Sequence, residues 1–193
     1  MIKPYSGYEA AKAPSSSREP LPAGGYVARL HAPRLEAYSW GTVLVLPLDI
    51  AEGEYANFWR DDFAANPRED KKWRGNLRIT LPKDDGSEKD GWAKRVFNNF
   101  VWAIEESNPG YKWRWDETTL NGKLLGVIYR NKEWEMNGTT GWTTEAFSTT
   151  SVACIRDGAY SIPKDKFLTR APSAVPSSFT PLPPDDDGGE LPF

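Results

Sequence analysis

At 193 residues, with 24 Lys and Arg against 27 Asp and Glu, the chain has the length of one domain with appendages and a formal net charge of −3. A single cysteine excludes a disulfide scaffold and any CxxC metal or redox site, and a single histidine excludes multi-histidine metal sites. No stretch approaches the ~18 apolar residues of a membrane span.

The first 23 residues hold Pro4, Pro14, Pro20 and Pro22 around a Ser-Ser-Ser run, lack the apolar stretch of a signal peptide, and read as a disordered, loosely docked N-terminal arm. Gly24-Gly25 then opens YVARL, a strand with Tyr26, Ala28 and Leu30 on one face. In TVLVLPLDI, Leu44, Leu46, Leu48 and Ile50 alternate, and Pro47 points to an edge strand or a bulge. NLRITL is a third strand: Leu77, Ile79 and Leu81 face one side, Arg78 and Thr80 the other.

One helix follows, with Asp90 as its cap and Trp92, Val96, Phe100 and Ile104 recurring every fourth residue beside Phe97 and Val101. Trp92, Phe97 and Phe100 read as its core face, and SNPG (107–110) stops it. KLLGVIY at 123–129, with Gly126 as a bend or bulge, and the stretch 143–155 supply at least two more strands. Between them Asn137-Gly138-Thr139 has the form of a glycosylation sequon and reads as a hairpin turn. Cys154, in the run SVACI, reads as a small buried hydrophobe and the chain as a protein of a reducing, cytoplasmic compartment. From 171 onward six prolines lie among Ser, Asp and Gly, which describes a disordered, extended C-terminal tail.

The domain is therefore residues 24–170, mainly β with one helix. Its order of three strands, a helix and two strands is the layout of a small OB-fold-like β-barrel that closes its own edges.

Catalytic machinery is missing from this pattern. GxSxG and GxGxxG are absent, and Gly122-Lys123 fails as a P-loop end because Glu stands at 117. The carboxylate pairs Asp61-Asp62, Asp84-Asp85, Glu105-Glu106 and Asp116-Glu117 read as solvated charge, and His31 as an ordinary histidine. The expectation is a protein without catalytic residues, metal or cofactor.

Nine Trp, eight Tyr and eight Phe exceed what the core of one modest domain uses, so part of the set belongs to a working surface. Lys and Arg recur beside these rings: Phe58-Trp59-Arg60, Lys71-Lys72-Trp73-Arg74, Tyr111-Lys112-Trp113-Arg114-Trp115, and Tyr129-Arg130-Asn131-Lys132 with Trp134. Single-stranded nucleic acid offers a phosphate at every step and a flat base to stack, at ~1–3 kcal/mol per base. The candidate DNA contacts are Trp59, Lys71, Lys72, Trp73, Arg74, Arg78, Lys112, Trp113, Arg130, Lys132, Trp134 and Trp142. Trp113 and Trp115 suit a core role equally well.

The acidity is confined to the tail. From Ala171 onward there is no Lys or Arg, and Asp185, Asp186, Asp187 and Glu190 are its four acids; 27 minus 4 leaves 23 acidic against 24 basic residues, or +1, over 1–170. The ending DDDGGELPF resembles the acidic tip of bacterial single-stranded-DNA-binding proteins, which follows a Pro/Gly-rich linker and docks onto replication, recombination and repair enzymes; here Gly188-Gly189 interrupt the acidic run. The resemblance implies a protein-docking role for Asp185, Asp186, Asp187, Glu190, Leu191, Pro192 and Phe193. Residues 24–160, and SNPGYKWRWDE above all, also resemble a family of phage-encoded proteins long known only as a domain of unknown function. That resemblance implies an OB-like fold and single-stranded DNA binding in phage replication and recombination. The partners expected are single-stranded DNA and, through the tip, replication or recombination enzymes; no membrane is expected, and a homo-oligomer is left open. Competing readings are a structural or interaction module of a phage particle and a carbohydrate-binding β domain.

Overall fold

The computed structural model describes residues 19–169; the first 18 residues and the whole of 170–193, with the docking residues Asp185 to Phe193, lie outside the described residues. Six strands form one antiparallel sheet: β1 (Gly24–Leu30), β2 (Arg34–Tyr38), β3 (Gly41–Ile50), β4 (Asn76–Thr80), β5 (Leu124–Met136) and β6 (Thr139–Thr150). Helices α1 (Phe58–Ala65), α2 (Glu88–Ser107) and α3 (Val152–Arg156), with a 3₁₀ turn at Glu117–Leu120, complete it.

β3 is the hub of the sheet and not an edge. Its residues Val43, Leu44 and Val45 pair with β2 and with β4 at once, so those strands flank it on opposite sides, while Leu48, Asp49 and Ile50 pair with β1. Between the pairs Leu30↔Leu48 and Arg34↔Val45, one chain advances four residues and the other three. β1 and β2 thus form one bent line with a bulge, opposite Pro47, whose carbonyl accepts from His31 N (2.7 Å). β1 continues to β5, and β5 to β6 through a two-residue turn at Asn137 and Gly138, both with positive φ (51° and 76°).

The sheet is not closed. Its two ends, β4 and β6, come into contact without a ladder between them. Asn99 of α2 instead donates to the Thr149 carbonyl of β6 (2.7 Å), so a helix side chain meets that backbone group.

The core lies between the sheet and α2. Leu44, Leu46, Leu48, Ile50, Leu77, Ile79, Leu125 and Val127 meet the helix stripe Phe97, Phe100, Ala103 and Ile104. Trp92 is one position off that stripe and is 55% exposed, which corrects its assignment to the core face. The helix cap is also corrected. Ser87 Oγ accepts from Asp90 N (3.1 Å), while the Asp90 carboxylate is buried and accepts from Lys83 N and Asp84 N, fastening the loop that leads in. At the other end Asn108 exchanges hydrogen bonds with the backbone of Leu124 and sets where β5 begins.

Two helices run against the sequence pattern. α1 has no side-chain cap of its own; buried Asp49, on β3, accepts from Trp59 N (2.9 Å) and Arg60 N (3.3 Å) at its start. The stretch 143–155 is not all strand. After β6 it turns at Ser151, which caps α3, and Cys154 is a partly exposed helix residue and not a buried one. Gly126 makes room for that turn: a Cβ there would stand 2.7 Å from the Thr150 and Ser151 carbonyls. The bulge of β5 and β6 lies two residues further on, between Ile128 and Tyr129, where Phe147 is the extra residue. Finally, Leu21 of the expected arm is fully buried and joins the core, while Pro20 and Pro22 on either side of it are exposed.

Candidate nucleic-acid interface

The open seam between β4 and β6 is a trough. At one end a cleft of about 300 Å³ is lined by Arg74, Trp134, Trp142 and Thr144, with Trp59 in its floor. Trp59, Arg74 and Thr144 also line the next, of about 250 Å³, where Asn76 and Arg78 stand across from Glu145. Arg78 carries the line into a third, of about 330 Å³, with Trp92, Arg95 and Phe147. Local chain geometry presents these side chains. Alternation on β4 turns Arg78 outward as Leu77 and Ile79 turn in, and the bulge at Phe147 leaves that ring 46% exposed. Trp134 lies flat over the neighbouring strand because Gly141 has no side chain; a Cβ there would meet Trp134 Cζ2 at 2.6 Å.

Cations gather on shared carboxylates along this line. Glu145 receives Arg130 (2.6 Å), Lys132 (3.0 Å) and Lys166 (3.6 Å), three positive charges for one negative. Burial acts to raise the Glu145 carboxyl, but hydrogen bonds from Arg130 and Lys132 prevail and hold it below its usual range. Arg130 also lies over the Phe147 ring, 4.0 Å from its centroid. Lys166 belongs to a short strap bonded to β5, with Lys166 N on Asn131 O (2.9 Å) and Glu133 N on Lys166 O (2.8 Å). Its neighbour Phe167 meets Trp142 edge to face at 5.4 Å. On the outer face of β2–β3–β4, Arg78 and Arg34 both bond Glu36, and Arg78 bonds the Tyr38 hydroxyl (2.6 Å). Tyr38 donates to Glu36, which lowers the carboxyl and raises the phenol; Arg34 and Arg78 lower the carboxyl further.

The candidate contacts divide accordingly. Arg74, Arg78, Trp134 and Trp142 line the trough, and Arg130 and Lys132 join it through Glu145. Trp59 lines it only from beneath. It is 7% exposed, its indole donates to Tyr129 Oη (3.2 Å), and its ring packs on Phe58 and Tyr129, leaving no face for a base. Trp73 is pinned through its indole N–H to the Gly75 carbonyl (2.8 Å), and the Lys71 amine sits over Phe63 (4.7 Å). Lys72 is exposed beside them. Lys112 pairs with Glu105 (2.7 Å), and Trp113 packs on Phe97 and Phe100 in a separate cleft with Leu35 and Trp115, so neither belongs to the seam. Reading the sequence missed Trp92, Phe147, Arg95 and Lys166. Phe147 and Lys166 stand apart from the basic-aromatic clusters, and Trp92 was absorbed into a helical repeat.

At least one member of each carboxylate pair is engaged by a neighbouring cation or backbone amide. Asp62 pairs with Arg74, Asp84 with Lys94, and Glu105 with Lys112, while Asp116 accepts from Thr118 N at the 3₁₀ turn. Among the described residues no three His, Cys, Asp or Glu side chains converge as a metal site, and no helix is long and apolar enough to cross a membrane. No protein-family model and no curated protein matches this sequence.

Proposed function

We propose that this chain binds single-stranded DNA, without strong sequence preference, along the β4–β6 seam. The observation that carries the reading is the trough itself: exposed rings (Trp142, Phe147, Trp92) alternate with cations (Arg74, Arg78, Arg95 and the Arg130–Lys132–Lys166 group) along one open line. Stacking serves the bases and the cations serve the phosphates, a combination that tolerates any sequence.

The strand order supports an OB-type reading of the fold. A bent first strand (β1–β2) pairs with the second (β3) and the fourth (β5), and a helix separates the third (β4) from the fourth. OB barrels are partly open and bind oligonucleotides on their second and third strands and on the loops joining strands one to two and four to five. The counterparts here are β3 and β4, the end of β2 and the turn after it with Tyr38 and Trp40, and the β5–β6 ribbon carrying Trp134 and Trp142. On the sequence resemblance, the protein serves phage DNA replication or recombination in a host cytoplasm, carries out no chemical step, and engages partner enzymes through residues 185–193.

The test is a titration of tryptophan fluorescence with a thymidine oligonucleotide of about thirty bases, several times a single OB footprint, at low and high salt, beside a duplex competitor. Saturable quenching that weakens with salt and ignores the duplex is the expected result. A folded protein whose fluorescence is unchanged at every salt concentration would remove the proposal.

A further inference from the structure

We propose that Trp40 and Trp92 form a base-binding clamp for the same single strand, with Trp92 at the end of the seam and Trp40 beyond its cationic stretch. The inference rests on the single-strand reading of the seam and extends it.

The trough does not stop at Phe147. Its third cleft shares Thr80 and Trp92 with a larger one, of about 700 Å³, whose lining also includes Trp40. That volume is of the size that holds a small planar ligand. Both tryptophans are more than half exposed, at 54% and 55%, although large rings are costly to leave in water unless a surface uses them. Trp40 is held ready. Its ring stacks on Tyr38 at 5.2 Å and 12°, and the Tyr38 hydroxyl is fixed in turn by Arg78 and Glu36. One side of the indole is therefore covered and its orientation set before any ligand arrives, which lowers the ordering cost of binding. Trp92 is carried by α2, next to buried Ala93, on a helix capped by Ser87.

Charge distinguishes this cleft from the second and third clefts of the seam, where Arg74, Arg78 and Arg95 face Glu145; the first cleft also holds Glu19 and Asp62. The lining of the larger cleft has Lys83 and Lys89 against Asp85, Glu88 and Asp90, two cations for three carboxylates. Such a lining gives phosphate no net attraction, and stacking on a ring releases no counterions. The clamp therefore takes bases, while the backbone is held on the seam by Arg78, Arg95 and the Glu145 group. Affinity then has two separable parts: a salt-dependent part from the seam and a salt-independent part from the clamp. The path along β4 from Asn76 to Thr80 is four residue steps of extended chain, ~13 Å, so a strand must exceed a minimum length to occupy both.

The full chain, its Trp40→Ala and Trp92→Ala variants and an Arg78→Ala variant are titrated by fluorescence anisotropy with labelled thymidine oligonucleotides of about five and about fifteen bases, across a salt series. Each Trp variant is expected to bind the long oligonucleotide on the order of ten-fold more weakly with an unchanged salt slope. Trp40→Ala should bind the short one, seated on the seam cations, with less than about a two-fold change, while Trp92→Ala, whose ring also lines the seam's third cleft, should weaken the short one too. Arg78→Ala should instead lower the salt slope at both lengths. Trp40→Phe, which keeps a ring, should recover most of the loss, and circular dichroism checks the fold of each variant. Wild-type protein that binds neither oligonucleotide overturns the underlying reading and the clamp with it. Wild-type binding with Trp variants that are unchanged at the long oligonucleotide, or with a Trp40→Ala variant that loses equally at both lengths, overturns the clamp alone.

Discussion

Two stacked ring pairs in this protein are built from the same residue types and serve opposite ends. Trp59 and Tyr129 lie 6.3 Å apart at 28° and are both buried; Tyr38 and Trp40 lie 5.2 Å apart at 12° and are both exposed. In the first pair every polar atom is turned inward, with the Trp59 N–H on Tyr129 Oη, and burial pushes the Tyr129 phenol well above its usual range so that it stays protonated. In the second the phenol is tied to Arg78 and Glu36 at the surface, and the indole face is left to water. Ring chemistry alone does not decide whether a tryptophan stabilises the fold or waits for a ligand. What decides it is whether neighbouring groups cover both faces, as Phe58, Tyr129 and Gly75 cover Trp59.

The largest expected effect separates these pairs directly. Trp59→Ala should lower the free energy of unfolding by about 3–5 kcal/mol in a urea titration, because it empties a core site and strands the Tyr129 hydroxyl. Trp40→Ala should stay within about 0.5 kcal/mol, its cost appearing in DNA affinity instead. Equal destabilisation at both sites would erase the distinction.

A smaller loss should follow Asp49→Ala. It removes the carboxylate that accepts the first amides of α1, and leaving buried donors unpaired costs about 1–3 kcal/mol. Amide exchange at residues 58–60 should accelerate before the rest of the core does. Uniform acceleration over the whole chain would mean that α1 is held by packing alone.

The smallest effect on stability, and the most telling for the seam, should come from Glu145→Gln. Three cations lose their shared partner, so single-strand binding should tighten several-fold at low salt, with a salt slope steeper by about one. The pH dependence has a fixed sign. Because the folded Glu145 carboxyl lies below its unfolded value, its contribution to stability is complete above the ordinary carboxylate range and is lost as pH falls through the lowered folded value. The wild type should therefore lose melting temperature on the acid side, and the variant less. A variant with an unaltered acid limb would show that Glu145 contributes nothing there.

Elements encoded over neighbouring residues were readable in advance, and those encoded across the chain were not. NLRITL alternates as written, and the helix period marks Phe97, Phe100 and Ile104 correctly for the core. FWRDDFAA carries no capping signal of its own, and the carboxylate that starts that helix is ten residues before Trp59, on another strand. SVACI has the β-branched look of a strand, yet forms a helix because Gly126 allows the chain to turn tightly over β5. The basic-aromatic clusters pointed to Arg74, Trp134, Arg130 and Lys132, which gather on the seam, and equally to Trp59, Trp73 and Trp113, whose rings the fold consumes.

By itself, then, the sequence determined the long helix α2, the alternation of the strands, the tight Asn137-Gly138 turn and the abundance of rings beside cations, all consequences of chemistry between near neighbours. Only the tertiary structure decided which rings remain exposed, that the sheet stays open between β4 and β6, and that Arg78, Arg130, Lys132 and Lys166 come to one line from three stretches of chain. Burial and charge pairing are set by residues distant in sequence, and no local pattern carries that information.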